Sequence, residues 1–310
     1  MKKIFLILIL FVALVNSGKA QQLPQYSQYM HNNFLINPAV SGSEEYIPIR
    51  LTARQQWVGI DRAPSTQAIS GNFLLDNEVV GIGAYIFHDS FGPNSKTGFQ
   101  AAFSYIMPVG LWNSKLAIGV SGVVFQYTFD QSKEIWLDGD DPVIDGSKES
   151  AVIPDANFGI YWYSDKFYFG LSANQLIQYK VDFVDYDASQ NTLVRHYFLM
   201  GGYKFRVNDK FEIEPSTQVK FMPAAPLSVD LNLRGIYKKD YWFGVSYRSG
   251  MPMETGSTVI AMVGMQYKKY IFGYAYDFPL TRLNHYTSGT HEIIIGINLN
   301  KPIPVGSSLL

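Results

Sequence analysis

The chain has 310 residues, a formal net charge of −1 and no cysteine. A near-neutral charge argues against nucleic-acid binding, which needs a basic surface, and the lack of cysteine excludes disulfides and a lipid-modified cysteine. Charged residues make up only 16% of the chain and aromatic residues 15%, whereas a soluble domain has about 25% charged residues. This composition favours a protein with a large apolar surface.

The first twenty residues have the pattern of a secretory signal peptide. Lys2 and Lys3 precede an apolar run over 4–15, which is too short to cross a bilayer. Gly18 and Ala20 are the small residues of a cleavage site, so we expect cleavage after Ala20. Three of the 25 cationic residues and none of the 26 acidic ones lie before that point, which gives the mature chain a net charge of −4.

Residues 21–44 precede the first predicted strand and are rich in glutamine, asparagine and tyrosine. Tyr26, Tyr29, Met30 and Phe34 carry apolar area that a free tail does not normally keep. We predict that this segment is a plug inside a barrel or a docking segment on its periplasmic side. A disordered leader is the alternative.

From residue 45 to residue 300, apolar and polar residues alternate with a period of two, which is typical of strands with one apolar face. About fourteen such segments occur, most of about 9–13 residues, the length of a tilted membrane strand, whereas soluble strands average about 5–6 residues. The predicted strands cover residues 46–59, 65–75, 78–88, 96–108, 114–129, 155–163, 166–174, 192–206, 210–221, 227–237, 240–249, 257–267, 270–278 and 289–299.

Short and long connections alternate between these strands. Tight turns are predicted at 76–77, 164–165, 208–209, 238–240 and 268–269, and longer loops at 89–95, 130–154, 175–191 and 279–288. Outer-membrane barrels place short turns in the periplasm and long loops outside the cell. We therefore predict an all-β, transmembrane antiparallel β-barrel over 45–300 and a C-terminal tail over 301–310. A soluble propeller is the alternative, although the blade-length repeats that it needs are missing.

Polar residues share the strand face opposite the apolar one. A charge facing lipid costs roughly 2–4 kcal/mol at the bilayer midplane, so these side chains are predicted to point into the lumen. The candidate lumen residues are Arg50, Arg54, Gln56, Glu212, Glu214, Lys220, Asp230, Arg234 and Arg248. Because their charges have mixed signs, we interpret them as a structural network, with a substrate path as the alternative.

Catalysis has little support in the sequence. The G-x-S-x-G and H-E-x-x-H motifs do not occur, and the five histidines are not at metal-ligand spacing. We expect neither an enzyme nor a cofactor. In the loop 130–154, the carboxylates of Asp138, Asp140, Asp141 and Asp145 are close enough in sequence to bind Ca²⁺, but the spacing of a calcium loop is missing. A solvated acidic loop is the preferred interpretation.

Several short motifs in chain order resemble the PorP/SprF family of type IX secretion membrane proteins. The first four lie at 25–30, 36–39, 54–61 and 63–67, and the last at 290–293. Their signature residues are Gln28, Tyr29, Asn37, Pro38, Trp57, Gly59, Asp61, Pro64, Thr66, Gln67, His291 and Glu292. Further matches, most of them built around glycine, lie at 81–83, 158–159, 170–172, 196–197, 244–248 and 273–277. The resemblance covers about residues 22–300.

The resemblance implies an outer-membrane barrel of a Bacteroidota-type bacterium that serves type IX secretion and gliding motility. Its implied partners are a large secreted surface adhesin, other secretion-system components such as a periplasmic peptidoglycan-linked protein, and outer-membrane lipid. No nucleic acid is expected. An outer-membrane porin or substrate-specific channel is the alternative function. One departure is the end of the chain, which does not close on an aromatic strand residue as such barrels tend to do.

Overall fold

The computed structural model describes residues 23–76, 78–133, 147–180, 192–223, 225–251 and 256–300. The predicted signal peptide, the four aspartates considered for Ca²⁺ and the C-terminal tail lie outside these residues. Within them, the chain forms a single antiparallel sheet. No helix in this part of the chain is long and apolar enough to span a bilayer.

The strands are β1 (Ile47–Gln55), β2 (Ser65–Leu74), β3 (Val80–Phe91), β4 (Asn94–Val109), β5 (Ser114–Asp130), β6 (Lys148–Tyr163), β7 (Phe167–Asn174), β8 (His196–Tyr203), β9 (Phe205–Asn208), β10 (Phe211–Phe221), β11 (Leu227–Tyr237), β12 (Tyr241–Met251), β13 (Thr258–Tyr267), β14 (Tyr270–Pro279) and β15 (Thr290–Leu299). Most are long enough to cross a bilayer at the tilt of a barrel strand.

Fourteen of these strands close into a ring. Each pairs with its neighbours in the chain, β8 pairs directly with β10, and β15 pairs back onto β1 from Leu299 at Ile47 to His291 at Gln55. The short β9 lies outside the ring and pairs only with the first residues of β10, so the strand predicted over 192–206 is interrupted at Lys204. The predicted antiparallel barrel of about 14 strands is confirmed.

The two faces of the ring have opposite character. On β1, Arg50, Thr52 and Arg54 are buried while Leu51 is exposed. On β11 and β12, Leu231 is 56% exposed and Phe243 is 55% exposed. Apolar side chains therefore face outward and polar ones face the lumen, which is the arrangement required in lipid and the reverse of a soluble propeller.

The barrel has a turn end, where β1 begins and β15 ends, and an opposite loop end. The predicted loop 89–95 is wrong, because β3 and β4 extend through it and Gly92, with a φ of +58°, allows a tight turn. The predicted loop 130–154 is too long, because residues 148–154 of β6 pair with β5. In both places polar residues at the loop-end termini of the strands interrupt the alternating pattern.

Residues 23–46, here called the lumen segment, lie inside the ring. Three 3-10 turns follow one another at Tyr29–His31, Asn33–Leu35 and Pro38–Val40. The segment begins at the loop end, where the Leu23 carbonyl accepts from Lys220, and continues into β1 at the turn end. Its apolar side chains form the centre of the largest buried cluster inside the barrel.

Candidate functional site in the barrel lumen

The lumen segment is tied to the wall by a buried ion-pair network near the loop end. Arg54 pairs with Asp277 at 2.7 Å and with Glu292 at 3.1 Å. The backbone N–H groups of Ser27 and Gln28 donate to the two oxygens of Glu292, each at 2.7 Å. The Ser27 hydroxyl donates to Asp277 and accepts from Arg54 at 2.7 Å. The segment therefore completes the coordination of both carboxylates.

Arg248 extends this network across the lumen. Its guanidinium binds Asp230 through two nitrogens, at 2.9 and 2.7 Å, and lies 3.7 Å from Asp277. The same guanidinium donates to the backbone carbonyl of Tyr26 at 3.0 Å. Two cations thus face three carboxylates, and every member is nearly inaccessible to solvent. Buried charges need this kind of complete partnering, because an unpaired one is strongly destabilising.

A second cluster lies closer to the turn end. Arg234 pairs with Glu214 at 2.8 Å and donates to Nε2 of His31 at 2.9 Å. Because arginine can only donate, the His31 nitrogen is the acceptor in this contact. Its ring packs against Trp242, with ring centroids 4.4 Å apart. The amide of Asn232 donates to the hydroxyl of Tyr29 at 2.6 Å. The first 3-10 turn is therefore held on β11 and β12.

On the opposite wall, the lumen segment packs closely against glycines. The Asn37 amide donates to the backbone carbonyls of Ile160 at 3.0 Å and Leu171 at 3.2 Å. A Cβ atom on Gly159 would collide with Asn37, and one on Gly119 would collide with the Ala39 backbone. Glycine is needed at both places because the segment approaches the wall so closely, through the Asn37 side chain at Gly159 and through its backbone at Gly119.

The structure places most of the candidate lumen residues in the interior. Arg54, Arg248 and Asp230 meet in the ion-pair network near the loop end, here called the upper ion-pair network. Arg234 meets Glu214 in the cluster closer to the turn end. The remaining candidates stand apart from both: Arg50 donates to Asn298 at 2.6 Å, Lys220 contacts the Leu23 carbonyl, Gln56 borders the mouth of the barrel, and the partly buried Glu212 lies 3.9 Å from Arg206.

Two further residues in the lumen, Asp277 and Glu292, are not among those predicted there from the sequence. Asp277 shares the inner face of β14 with Ile271, Gly273 and Ala275. The lumen segment packs on this face, with Gln28 close to Gly273 and Met30 against the cluster that contains Ala275. The alternation of polar residues that identified the other lumen residues is therefore absent from this strand. The available signals were two family motifs, the one at 273–277, which contains Asp277, and the one at 290–293, which contains Glu292.

The family-signature residues fall into three groups. Gln28, Tyr29, Asn37 and Pro38 belong to the lumen segment, and Glu292 binds it. Trp57, Gly59, Asp61 and Pro64 form the connection at the loop end, where the Trp57 N–H donates to Thr290 and Thr66 donates to Asp89. Gln67 and His291 lie on the outer face, where they contact Ser65 and Tyr274.

A cavity of about 660 Å³ opens at the loop end, above the lumen segment. Its lining combines the apolar side chains of Leu23, Trp57 and Phe91 with the charges of Arg54 and Lys220. In the described part of the chain, no cluster of three or more histidine, aspartate or glutamate residues could hold a metal ion.

A closed ring of fourteen antiparallel strands, apolar outside and polar inside, is the architecture of an outer-membrane β-barrel, and the chain is an outer-membrane protein of this class. Residues 18–297 match the model of the family described as "Type IX secretion system membrane protein PorP/SprF". The chain belongs to this family, which confirms the resemblance seen in its motifs. Family and fold are those of a secretion or transport component.

Solved outer-membrane proteins share the fold at low sequence identity. The Ralstonia pickettii toluene transporter TbuX has a TM-score of 0.51 and 9% identity, over 86% of this chain and 92% of that chain. A Pseudomonas aeruginosa FadL homologue has a TM-score of 0.46 and 9% identity, over 91% and 95% of the two chains. The Acinetobacter baumannii protein Omp33 has a TM-score of 0.45 and 7% identity, over 84% and 99%. No curated protein matches the chain significantly.

Proposed function

We propose that the chain is a non-enzymatic outer-membrane barrel of the type IX secretion and gliding apparatus, which helps to export or anchor a large secreted surface adhesin. In this proposal the lumen segment is a plug, and the barrel is a scaffold instead of a conduit. The observation that carries the proposal is the upper ion-pair network, in which Ser27 and Gln28 complete the coordination of Glu292 and Asp277.

Removal of the plug from the lumen would cost hydrogen bonds and buried apolar contacts that stabilise the barrel. Glu292 would lose two backbone hydrogen bonds, and hydrogen bonds to charged groups contribute roughly 1.5–3 kcal/mol each. Tyr29 and Phe34 are both about 1% exposed, and burial of such a side chain contributes roughly 1.5–3 kcal/mol. A segment bound this firmly fits a permanent structural part better than a gate that opens for each substrate.

The two ends of the barrel would then meet different partners. The loop end carries the connection over 56–64 and the open cavity, and it would contact the secreted adhesin outside the cell. The turn end would contact secretion-system components in the periplasm, including a peptidoglycan-linked protein.

A porin or substrate-specific channel is the second candidate function, and the cavity at the loop end is the observation that favours it. A smaller cavity of about 70 Å³ lies deeper in the lumen, between the lumen segment and the inner faces of β3 to β7. Leu23, Pro24 and Asp89 line both cavities, so the two cavities are adjacent in the lumen. TbuX, which shares the fold, is named as a toluene transporter.

The experiment that separates the two functions is detection of the secreted adhesin on intact cells. A strain lacking the chain would be complemented with wild type, with a deletion of residues 24–40, or with the surface variant Arg206→Gln as a control. We expect display with wild type and the control, and loss of display with the deletion while the barrel still reaches the outer membrane. Normal display in the strain without the chain would contradict the proposal and favour the channel.

A further inference from the structure

Two neighbouring hairpins at the turn end carry lysines in an unusual backbone conformation. The connection between β11 and β12 contains Lys238 and Lys239, with φ values of +53° and +62°. The connection between β13 and β14 contains Lys268, with a φ of +56°, followed by Lys269. The left-handed region disfavours residues with a Cβ atom, and tight hairpins normally use glycine, asparagine or aspartate there. The lysines are therefore placed against the backbone preference of the turn.

The ammonium groups of Lys238, Lys268 and Lys269 lie over the outer face of the barrel. The Nζ atom of Lys238 is 5.4 Å from the ring centroid of Tyr237, and that of Lys268 is 5.5 Å from Tyr267. Lys269 makes the same contact with Tyr270 at 5.6 Å. All three tyrosines are exposed residues at strand ends. The positive charges consequently lie beside the lipid-facing wall and away from the lumen opening.

The two hairpins form one continuous surface of positive charge. The Gln266 N–H donates to the Asp240 carbonyl at 2.6 Å, which joins the hairpins. These two connections contain four lysines and only one acidic residue, Asp240. Among the described residues, none of the four lysines forms an ion pair. This surface therefore carries an excess of positive charge that could attract an anionic ligand.

We propose that this lysine-tyrosine rim, made of Lys238, Lys239, Lys268, Lys269 and the tyrosines beside them, binds the phosphate headgroups of anionic phospholipids in the periplasmic leaflet. Tyrosine is enriched where a protein meets the headgroup layer, with its ring in the apolar part and its hydroxyl in water. Lysines above such rings place their charge at the depth of the phosphates. The position over the outer wall favours lipid over a soluble acidic protein. This inference does not depend on the proposed secretion function.

The test measures lipid binding to the purified, folded barrel in a neutral detergent. Dioleoyl-phosphatidylglycerol or dioleoyl-phosphatidylcholine is titrated in, and bound lipid is counted by native mass spectrometry while the midpoint of heat unfolding is recorded on gels. The test variant is the triple substitution Lys238→Asn, Lys239→Asn and Lys268→Asn, because asparagine tolerates the left-handed turn. The control is Lys115→Gln with Lys166→Gln, which removes two exposed lysines at the same end of the barrel.

We expect phosphatidylglycerol to bind wild type and the control more tightly than phosphatidylcholine does. In the triple variant its affinity should fall at least about tenfold, because each lysine near an anionic lipid contributes severalfold. The same variant, without lipid, should unfold at a temperature at least as high as wild type, since the turn strain is relieved. Equal affinity of wild type for the two lipids, or unchanged phosphatidylglycerol binding in a well-folded triple variant, would overturn the proposal.

Discussion

Replacement of Arg54 by leucine tests whether the upper ion-pair network holds the barrel and the lumen segment together. Arg54 is the only cation that contacts both Asp277 and Glu292 within the described residues. In the Arg54→Leu variant, Glu292 keeps the two N–H groups of the lumen segment but no cation within ion-pair distance. Asp277 keeps the Ser27 hydroxyl and the more distant Arg248, at 3.7 Å.

The expected loss of stability follows from the partners that Glu292 and Asp277 keep in the variant. Removing one partner of a buried ion pair costs about 3–5 kcal/mol, because the remaining charge is left in a poorly hydrated site. Arg54 borders the cavity at the loop end, so water can enter the space that its guanidinium leaves in the variant, and we expect a value near the lower limit, about 3 kcal/mol. Arg62→Leu is the control, since its ion pair with Asp61 is exposed and should contribute less than about 1 kcal/mol.

The assay is reversible urea unfolding of the folded barrel in detergent or liposomes, followed by its heat-modified migration on gels. A double variant, Arg54→Leu with Glu292→Leu, should recover part of the loss because it removes the stranded carboxylate along with the cation. If Arg54→Leu unfolds within about 0.5 kcal/mol of wild type, the limit expected for a surface change, the network does not hold the structure.

Three further predictions follow from the geometry. Leu231→Arg places a charge on the outer face near the middle of β11 and should destabilise the inserted barrel by about 2–4 kcal/mol in urea unfolding; a wild-type midpoint would refute the face assignment. Gly159→Leu should push out the lumen segment and speed its cleavage by chymotrypsin, whereas Gly122→Leu, with open space around it, should not; equal cleavage would refute the close packing. An epitope tag after Asn284 should be labelled on intact cells and one after Ser164 should not. The reverse labelling pattern would show that the barrel has the opposite orientation in the membrane.

The wall of the barrel could be predicted from the sequence because lipid imposes the same requirement on every strand. Each outward position must be apolar, so Leu231 and Phe243 fall into an alternating pattern that fixes both strand and face. The pattern fades at the loop-end termini of some strands, where polar residues are frequent. For that reason the ends of β3, β4 and β6, which lie at the loop end, were predicted as loops.

The lumen was harder to predict because its chemistry depends on contacts between distant parts of the chain. Asp277 lies on a strand whose inner face is otherwise small or apolar, and only the packed segment explains why. The pairing of Arg54 with Glu292 joins residues 238 positions apart. Alternation tells which side chains point inward, but it gives no information about which of them meet.

Electrical conductance measures most directly whether residues 23–46 close the lumen. Purified wild type and a deletion of residues 24–40 would be inserted into planar bilayers, with folding of both checked by heat-modified migration. We predict that wild type gives no sustained current and that the deletion gives stable open channels. A steady conductance of wild type equal to that of the deletion would contradict the account and support the channel function.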